Sequence, residues 1–267
     1  MLRVLLTLAS MTVLLLGASA AEANRLPKIL APPNGPWPEG GRFSVFLCGE
    51  DDAWDACGNK EVTPAQRHAV EQGLRQIPRI TELRFETKSE SLAVMEAAPE
   101  LAGVLEESDM AESFHGRLLR WSDAPAFDSA VQALPGVSNA VALPATFWQG
   151  KDDVVVTLCD AGGGRELCKG RQITADEKAA VEASLRRTRG VKRIYFEDRA
   201  HDMRMTEQFV ALWSQVIERD PRDKDDEAER RSLEEYFESY HVKLDDPKLA
   251  RSIVNAVKDL PGVAQVR

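Results

Sequence analysis

Two periodicities of hydrophobic residues divide most of the chain into short elements. Apolar residues at every second position predict strands, as in Leu83-Arg84-Phe85 within the segment 81–87. Apolar residues three to four positions apart predict amphipathic helices, as at Val70 and Leu74. Thr63 precedes that helix, and threonine is a common helix cap. The predicted order is therefore strand, helix, strand, helical segment, strand, helix, strand.

The same order of elements occurs twice. Residues 44–75 align with residues 155–186 at an offset of 111 and without a gap. Further along, the offset is 126, and the tetrapeptide Leu-Pro-Gly-Val recurs at 134–137 and 260–263. The second copy therefore carries 15 additional residues between its halves, since the offset rises from 111 to 126. We infer a tandem duplication.

Each copy is predicted to fold as an α+β, ferredoxin-like module, written β-α-β-(helical insert)-β-α-β. Two split βαβ units give a four-stranded antiparallel sheet with two helices on one face. The insert after the second strand is predicted to form a small helical lower lobe. The predicted modules are 43–143 and 153–267, and residues 144–152 form the linker.

The first residues predict export. Residues 1–23 resemble a secretory signal peptide, with an uncharged, mostly apolar run over 4–16 and small residues before Ala20 and Ala23, the two candidate cleavage positions. We expect a secreted, extracytoplasmic protein without a membrane span after cleavage; an uncleaved segment would instead tether it to the membrane. Residues 24–42 are rich in Pro and Gly, which excludes a helix or a central strand. They are predicted to be an extended, partly disordered tether.

Composition excludes several classes of function. The 267 residues are 43% hydrophobic and 29% charged, which is typical of a globular protein. A net charge of -9 argues against nucleic acid as a partner, because phosphate binding requires clustered cations. Aromatic residues make up only 6%, so no stacking platform for sugars or bases is indicated.

Four cysteines form two equally spaced pairs, Cys48 with Cys57 and Cys159 with Cys168. In an exported protein this pattern favours one structural disulfide in each copy. Zinc binding is the alternative, but the chain has no C-x-x-C motif and its four histidines lack a metal-binding spacing. A redox-active pair would also require C-x-x-C.

The remaining candidate chemistry is weak. Three aspartates in the first cysteine loop lack the EF-hand pattern: Asp51, Asp52 and Asp55. The glycine run at 162–164 is not followed by G-K-[ST] and is not a phosphate loop. His115 and His241 occupy equivalent positions on the third strands, which favours a role in packing or strand pairing. We predict no cofactor, no metal and no enzymatic activity; a cell-wall hydrolase and a structural spacer are the alternatives.

The helical inserts carry more apolar residues than a small lobe buries. The first insert spans 88–111 and is rich in alanine, and the second begins at residue 198. In the second, one wide apolar face contains Met203, Met205, Phe209 and Trp213, residue types typical of protein-binding anchors. The alternative is that this face packs on a second helix of its own lobe, over 232–237.

Several segments together resemble the extracellular domain of the cell-division permease FtsX, in its actinobacterial form. They are VFLC at 45–48 with a cysteine nine positions later, LRFETKSES at 83–91, ESF at 112–114 and ALPGVSNAV at 133–141. The resemblance covers residues 43–143, with 153–267 as a diverged second copy.

The resemblance implies a bilobed binding domain outside the membrane, with an upper α/β lobe and a helical lower lobe. In that family, exposed apolar residues of the lower lobe bind and activate peptidoglycan hydrolases, and transmembrane helices couple the permease to the ATPase FtsE. This sequence has no counterpart of those helices, so we expect binding to an envelope protein without ATP-driven coupling. By position, the resemblance assigns partner binding to Leu92, Met95, Met203, Phe209 and Trp213, and the apolar face adds Met205.

Overall fold

The computed structural model describes residues 26–50, 52, 54, 56–97, 101–161, 168–214, 216 and 236–267. The strands in this part of the chain are β1 Ile29–Leu30, β2 Gly41–Leu47, β3 Ile80–Glu86, β4 Ser113–Leu118, β5 Val137–Pro144, β6 Val154–Leu158, β7 Val191–Glu197, β8 Ser239–Leu244 and β9 Val263–Val266. The α-helices are α1 Pro64–Gln76, α2 Lys88–Glu96, α3 Ala124–Gln132, α4 Ala175–Arg187, α5 Arg199–Trp213 and α6 Ala250–Val257.

Each copy forms its own sheet. The first sheet has the order β3-β4-β2-β5, and all of its neighbours are antiparallel. The second sheet has the order β1-β7-β8-β6-β9, in which β7, β8, β6 and β9 repeat the first arrangement. This strand order follows from two split βαβ units. The predicted ferredoxin-like α+β fold is therefore confirmed.

Local sequence signals explain where the first helix of each copy begins. Thr63 accepts a hydrogen bond from the Gln66 N–H at 3.2 Å, and the Gln66 side chain accepts one from the Thr63 N–H at 2.9 Å. Thr174 and Glu177 repeat this capping box in the second copy. A cap of this type contributes about 1 kcal/mol of helix stability. Both copies therefore encode the same helix start by the same chemistry.

Each sheet buries one face under its helices. In the first module the rings of Phe43 on β2 and Phe127 on α3 lie 4.5 Å apart, between centroids, within a core of buried residues. In the second module Leu185 on α4, Ile194 on β7 and Ile253 on α6 are fully buried together. The apolar positions that predicted the elements are thus the ones that face the cores.

A disulfide closes the loop after the first strand of each module. Cys48 is bonded to Cys57 and Cys159 to Cys168, and all four residues are buried. Closing a loop of this length stabilises a fold by roughly 2–3 kcal/mol in the chain-entropy model. The bonds fix the loop that leads from each first strand into its capped helix.

The Pro-rich segment contains a short edge strand. Within it, Ile29–Leu30 forms the strand β1, which pairs in parallel with β7 through Ile29 opposite Ile194 and Leu30 opposite Tyr195. Proline is compatible with this position because β1 lies at the sheet edge, where few backbone N–H groups are required. The segment is therefore partly integrated into the second sheet.

The described residues divide into two compact units. The first-module unit contains residues 35–147 and 206–216, and the second-module unit contains 26–34, 148–205 and 236–267. The division thus falls inside helix α5, between Met205 and Thr206. The C-terminal half of this second-copy helix belongs to the unit built on the first copy.

Candidate functional site

Helix α2 carries the two candidate residues of the first insert and has no buried side chain. It begins after Thr87, which forms a reciprocal capping pair with Glu90 through hydrogen bonds of 3.2 and 2.8 Å. Leu92 is half-buried, Met95 is exposed and the adjacent Val94 is 65% exposed. The cap therefore fixes a helix whose apolar side chains contact water.

Helix α5 carries the other four candidate residues and also has no fully buried side chain. All four are half-buried: Met203, Met205, Phe209 and Trp213. The adjacent Val210 is exposed, and the ring centroids of Phe209 and Trp213 lie 6.5 Å apart. Residues 232–235 of the predicted second insert helix lie outside the described part of the chain.

Trp213 packs within the chain. Leu212, Trp213 and Val216 are half-buried against the core of the first module. The indole Nε1 of Trp121 donates a hydrogen bond to the Leu212 carbonyl at 2.9 Å. Trp213 and Val216 also line a groove of about 410 Å³ beside Ala142 of β5 and α3. Sequence reasoning did not anticipate this packing, because nothing local in α5 indicates contact with a core 90 or so residues away in the chain.

Exposed apolar side chains are concentrated in the inserts. Seven large hydrophobic residues are exposed in the part of the chain that the structure describes. Four of them belong to the inserts: Val94, Met95, Val104 and Val210. Isolated exposed hydrophobic residues are normal on a surface, whereas a local group of them marks an interaction site. Of the four, the sequence pattern singled out only Met95, since apolar composition alone does not reveal exposure.

A second feature is a buried polar cluster in the second module. Its centre is His241 on β8, whose Nδ1 lies 2.6 Å from Oδ2 of Asp152 and whose Nε2 lies 2.8 Å from Oε2 of Glu197. The Trp148 indole N–H donates to Oε1 of Glu197 at 2.9 Å, and the Trp148 ring stacks on the imidazole at 3.7 Å. Trp148 and Asp152 come from the predicted linker, so the cluster fastens these linker residues to the second sheet.

Charge pairing sets the protonation of this cluster. Burial by itself raises the pKa of Glu197, but its hydrogen bonds with His241, His201 and Trp148 outweigh burial and hold that pKa below the usual 4.5. Burial by itself lowers the pKa of His241, but the carboxylates of Asp152 and Glu197 outweigh it and hold that pKa above the usual 6.5. The cluster therefore favours a charged imidazolium between two carboxylates.

Part of the cluster has the order of a nucleophile, base and acid. Ser239 Oγ lies 3.0 Å from His241 Nε2, and Asp152 holds Nδ1 on the other side of the ring. However, Ser239 is only 6% exposed and His241 only 4% exposed, and Glu197 occupies the same Nε2. A substrate carbonyl cannot reach a hydroxyl that is buried in this way. We interpret the cluster as structural.

The first module has a simpler version of this arrangement. His115 lies 2.9 Å from Ser44 Oγ through Nδ1 and 2.8 Å from Ser113 Oγ through Nε2. Its Nε2 is also 3.3 Å from Glu86. Both histidines thus link neighbouring strands, consistent with the predicted role in packing and strand pairing. In the described part of the chain, a second carboxylate and a stacked tryptophan are found only in the second copy.

The described residues contain no group of three or more His, Cys, Asp or Glu side chains suited to a metal ion. Of the three aspartates in the first cysteine loop, Asp51 and Asp55 lie outside the described residues. Asp52 accepts hydrogen bonds from the backbone of Gly49 and Trp54 at 3.3 and 3.2 Å. No helix in the described part of the chain is long and apolar enough to cross a membrane. The predicted signal segment, 1–23, also lies outside the described residues.

Comparison with known protein families agrees with this architecture. The model of the FtsX extracellular domain matches the chain twice, at residues 42–142 and 154–267. These matches cover most of the chain, which therefore belongs to the FtsX extracellular domain family. That domain is a non-catalytic protein-interaction domain of the cell envelope. The disulfides and the family are consistent with an extracytoplasmic location.

Solved structures of the same family are distant in sequence. The large extracellular loop of FtsX from Streptococcus pneumoniae is 16% identical, with 38% of this chain and 97% of that chain covered and a TM-score of 0.29. Extracellular domain 1 of FtsX from the same organism, in complex with undecyl-maltoside, is 14% identical, with 42% and 98% covered and a TM-score of 0.28. No curated protein matches the chain.

Proposed function

We propose that this chain is an extracytoplasmic binding protein that regulates a peptidoglycan hydrolase or another protein of the cell envelope. The observation that carries the proposal is the group of exposed apolar side chains on inserts whose helices have no buried residue. Family membership supports it, because this domain is a protein-interaction module.

The first insert is the stronger docking surface. Leu92, Val94, Met95 and Val104 form what we call the first insert surface. Complete burial of a Val or Met side chain by a partner is worth about 1.5–3 kcal/mol. Removal of two such side chains is therefore expected to weaken binding by at least about tenfold.

The second insert contributes through the middle of α5. Phe209 and Val210 retain accessible apolar surface and form the second insert surface. Met203 and Met205, in the first half of the helix, are half-buried. Trp213 is the weakest of the predicted anchors, because part of its ring packs against the first-module core. A partner would contact Trp213 only through the remainder of its ring.

In the test, the purified protein captures hydrolases from envelope extract. Zymography then measures the lytic activity that is recovered. The double variant Val94→Ser/Met95→Ser is expected to recover at least about tenfold less lytic activity than the wild type. Leu119→Ser is the matched control, because Leu119 is 52% exposed but lies outside both inserts. Equal recovery by all three proteins would contradict the docking surface.

A cell-wall gel assay of the purified protein alone distinguishes a binding protein from a hydrolase, and the capture assay distinguishes it from a structural spacer. A binding protein leaves a cell-wall gel unchanged, whereas a hydrolase clears it. A structural spacer neither clears the gel nor captures lytic activity. Either of these last two outcomes would overturn the proposed function.

A further inference from the structure

The second module binds a short extended segment along one edge of its sheet. Strand β1 adds in parallel to β7, and Ile29 packs against the second-module core beside Ile194. Arg186 on α4 donates a hydrogen bond from Nε to the carbonyl of Pro27 at 2.8 Å. The segment is therefore held by an edge strand, an aliphatic contact and an arginine clamp.

The first module repeats these receiving groups. At the offset of 111, Ile194 corresponds to Leu83 and Arg186 corresponds to Arg75. Strand β3, which contains Leu83, is the edge of its sheet and pairs only with β4 among the described strands. Arg75 forms a salt bridge with Glu71 at 2.6 Å, with 56% of its side chain exposed.

Equivalent side chains on the two edge strands differ in burial, and the added strand β1 explains the difference. Ile194 is fully buried, whereas Leu83 is half-buried against the first-module core and Arg84 beside it is exposed. The aliphatic edge of the first core is therefore accessible at the position that Ile29 covers in the second. Such an edge presents unpaired backbone groups that can hydrogen-bond to another strand.

The edge is suited to strand addition over its second half. The register of β3 against β4 shifts between Thr81 and Arg84, and Glu82 has a positive φ of 54°. From Arg84 to Glu86 the pairing is regular, and the strand contains no proline. The equivalent strand β7 has its own shift between Val191 and Arg193 and still accepts β1 beyond it. In β3 the shift extends over Leu83, so the regularly paired edge that is open to addition runs from Arg84 to Glu86.

We propose that the outer edge of β3 binds an extended segment of a partner protein as an added parallel strand. The segment recognised has two consecutive aliphatic residues with proline nearby, as in the chain's own Pro27-Lys28-Ile29-Leu30. Its aliphatic side chain covers Leu83, and a backbone carbonyl accepts a hydrogen bond from Arg75. This mode of recognition takes affinity from backbone hydrogen bonds and specificity from the side-chain contact. The site is separate from both insert surfaces and does not depend on the proposed function.

The test titrates the full chain, labelled with ¹⁵N, with a synthetic peptide of residues 26–34. At peptide concentrations of about 1 mM and above, we expect amide shifts at Leu83, Arg84 and Phe85. A peptide with Ile29→Asp and Leu30→Asp is expected to produce none. The free peptide is expected to bind weakly. A larger partner that also contacts the chain elsewhere would bind more tightly, because its segment would be held at a high effective concentration.

Variants of the chain test whether the peptide binds at β3. Leu83→Asp is expected to abolish the shifts, and Leu119→Ser to leave them unchanged. Because Leu83→Asp also risks unfolding, Arg75→Ala provides a second test on an exposed side chain, with an expected loss of affinity of about threefold or more. Shifts confined to β7, shifts caused equally by both peptides, or no response of β3 would each overturn the proposal. A dimer that forms through β3 without peptide would also overturn it, since the occupant would then be a second copy.

Discussion

His241 is held on both sides by acidic groups. Asp152 and Glu197 hydrogen-bond its two nitrogens, and Asp202 lies close enough to interact electrostatically with the pair. Burial raises the pKa of Asp202, and the nearby Glu197 charge adds to that effect, although a hydrogen bond from the Phe237 N–H opposes it. A neutral imidazole could satisfy only one of the two carboxylates as a donor. The protonated form of His241 is therefore part of the folded state.

The cluster makes the stability of the second module dependent on pH. The pKa of folded His241 is raised above 6.5, so its contribution is complete below that pH and is lost as the pH rises through the folded value. The pKa of folded Glu197 is lowered below 4.5, so its contribution is complete above that pH and is lost as the pH falls through the folded value. Both contributions are present together between these two ordinary values.

We expect the free energy of unfolding of the wild type to decline above pH 6.5. The variant His241→Gln is expected not to show this decline. For one proton, the slope approaches about 1.4 kcal/mol per pH unit. Denaturant unfolding of both proteins from pH 4 to pH 9 measures it, and their difference removes the contribution of groups that are not coupled to His241. Parallel profiles for the two proteins would show that His241 does not carry the effect.

The duplication supplies an internal control for the charge cluster. Glu197→Ala leaves a buried imidazolium with one partner fewer, and such a change typically costs about 3–5 kcal/mol. Glu86→Ala in the first copy is expected to cost less, because His115 and Arg84 beside it have access to water. The free energy of unfolding of each variant decides the matter, and equal losses would contradict the stronger role of the second cluster.

At the scale of elements, helix α5 has two different environments. Its first half belongs to the second-module unit, while Leu212 and Trp213 at its end pack on the first-module core. The hydrogen bond from Trp121 to the Leu212 carbonyl fixes one of the last carbonyls of the helix, which have no partner within it. The end of α5 is therefore determined by tertiary contact as much as by its own sequence.

Trp213→Ala is expected to destabilise the first-module unit. A half-buried aromatic ring contributes less than the roughly 3–5 kcal/mol of a fully buried one, so we expect a loss of about 1–3 kcal/mol. Phe209→Ala, four residues earlier and absent from that core, is the comparison and is expected to cost less. Thermal unfolding followed by the fluorescence of the remaining tryptophans measures both. A larger loss for Phe209→Ala would contradict the assigned packing of Trp213.

At the scale of the whole molecule, one duplicated sequence has produced two modules with different attachments. Both retain the strand order, the capping box and the disulfide. Among the residues that the structure describes, only the second has an added edge strand and a histidine between two carboxylates. Neither difference arises from the elements that the copies share. Both depend on residues outside the repeat, in the Pro-rich segment and in the linker.

The sequence by itself determined the duplication, the order of elements, the helix starts and the pairing of cysteines. These features depend on residues close together in the chain, such as Thr63 and Gln66, or on spacing shared by two copies. The sequence also identified the inserts as rich in apolar residues.

Only the tertiary structure decided which of those apolar residues are covered. Trp121 meets Leu212 across 91 positions, and Asp152 meets His241 across 89. Burial is a property of neighbours in space, and a hydrophobic period shows which residues share a face but not what that face meets. For that reason the fold followed from local patterns, while the packing of Trp213, the strand at Ile29 and the charge cluster did not.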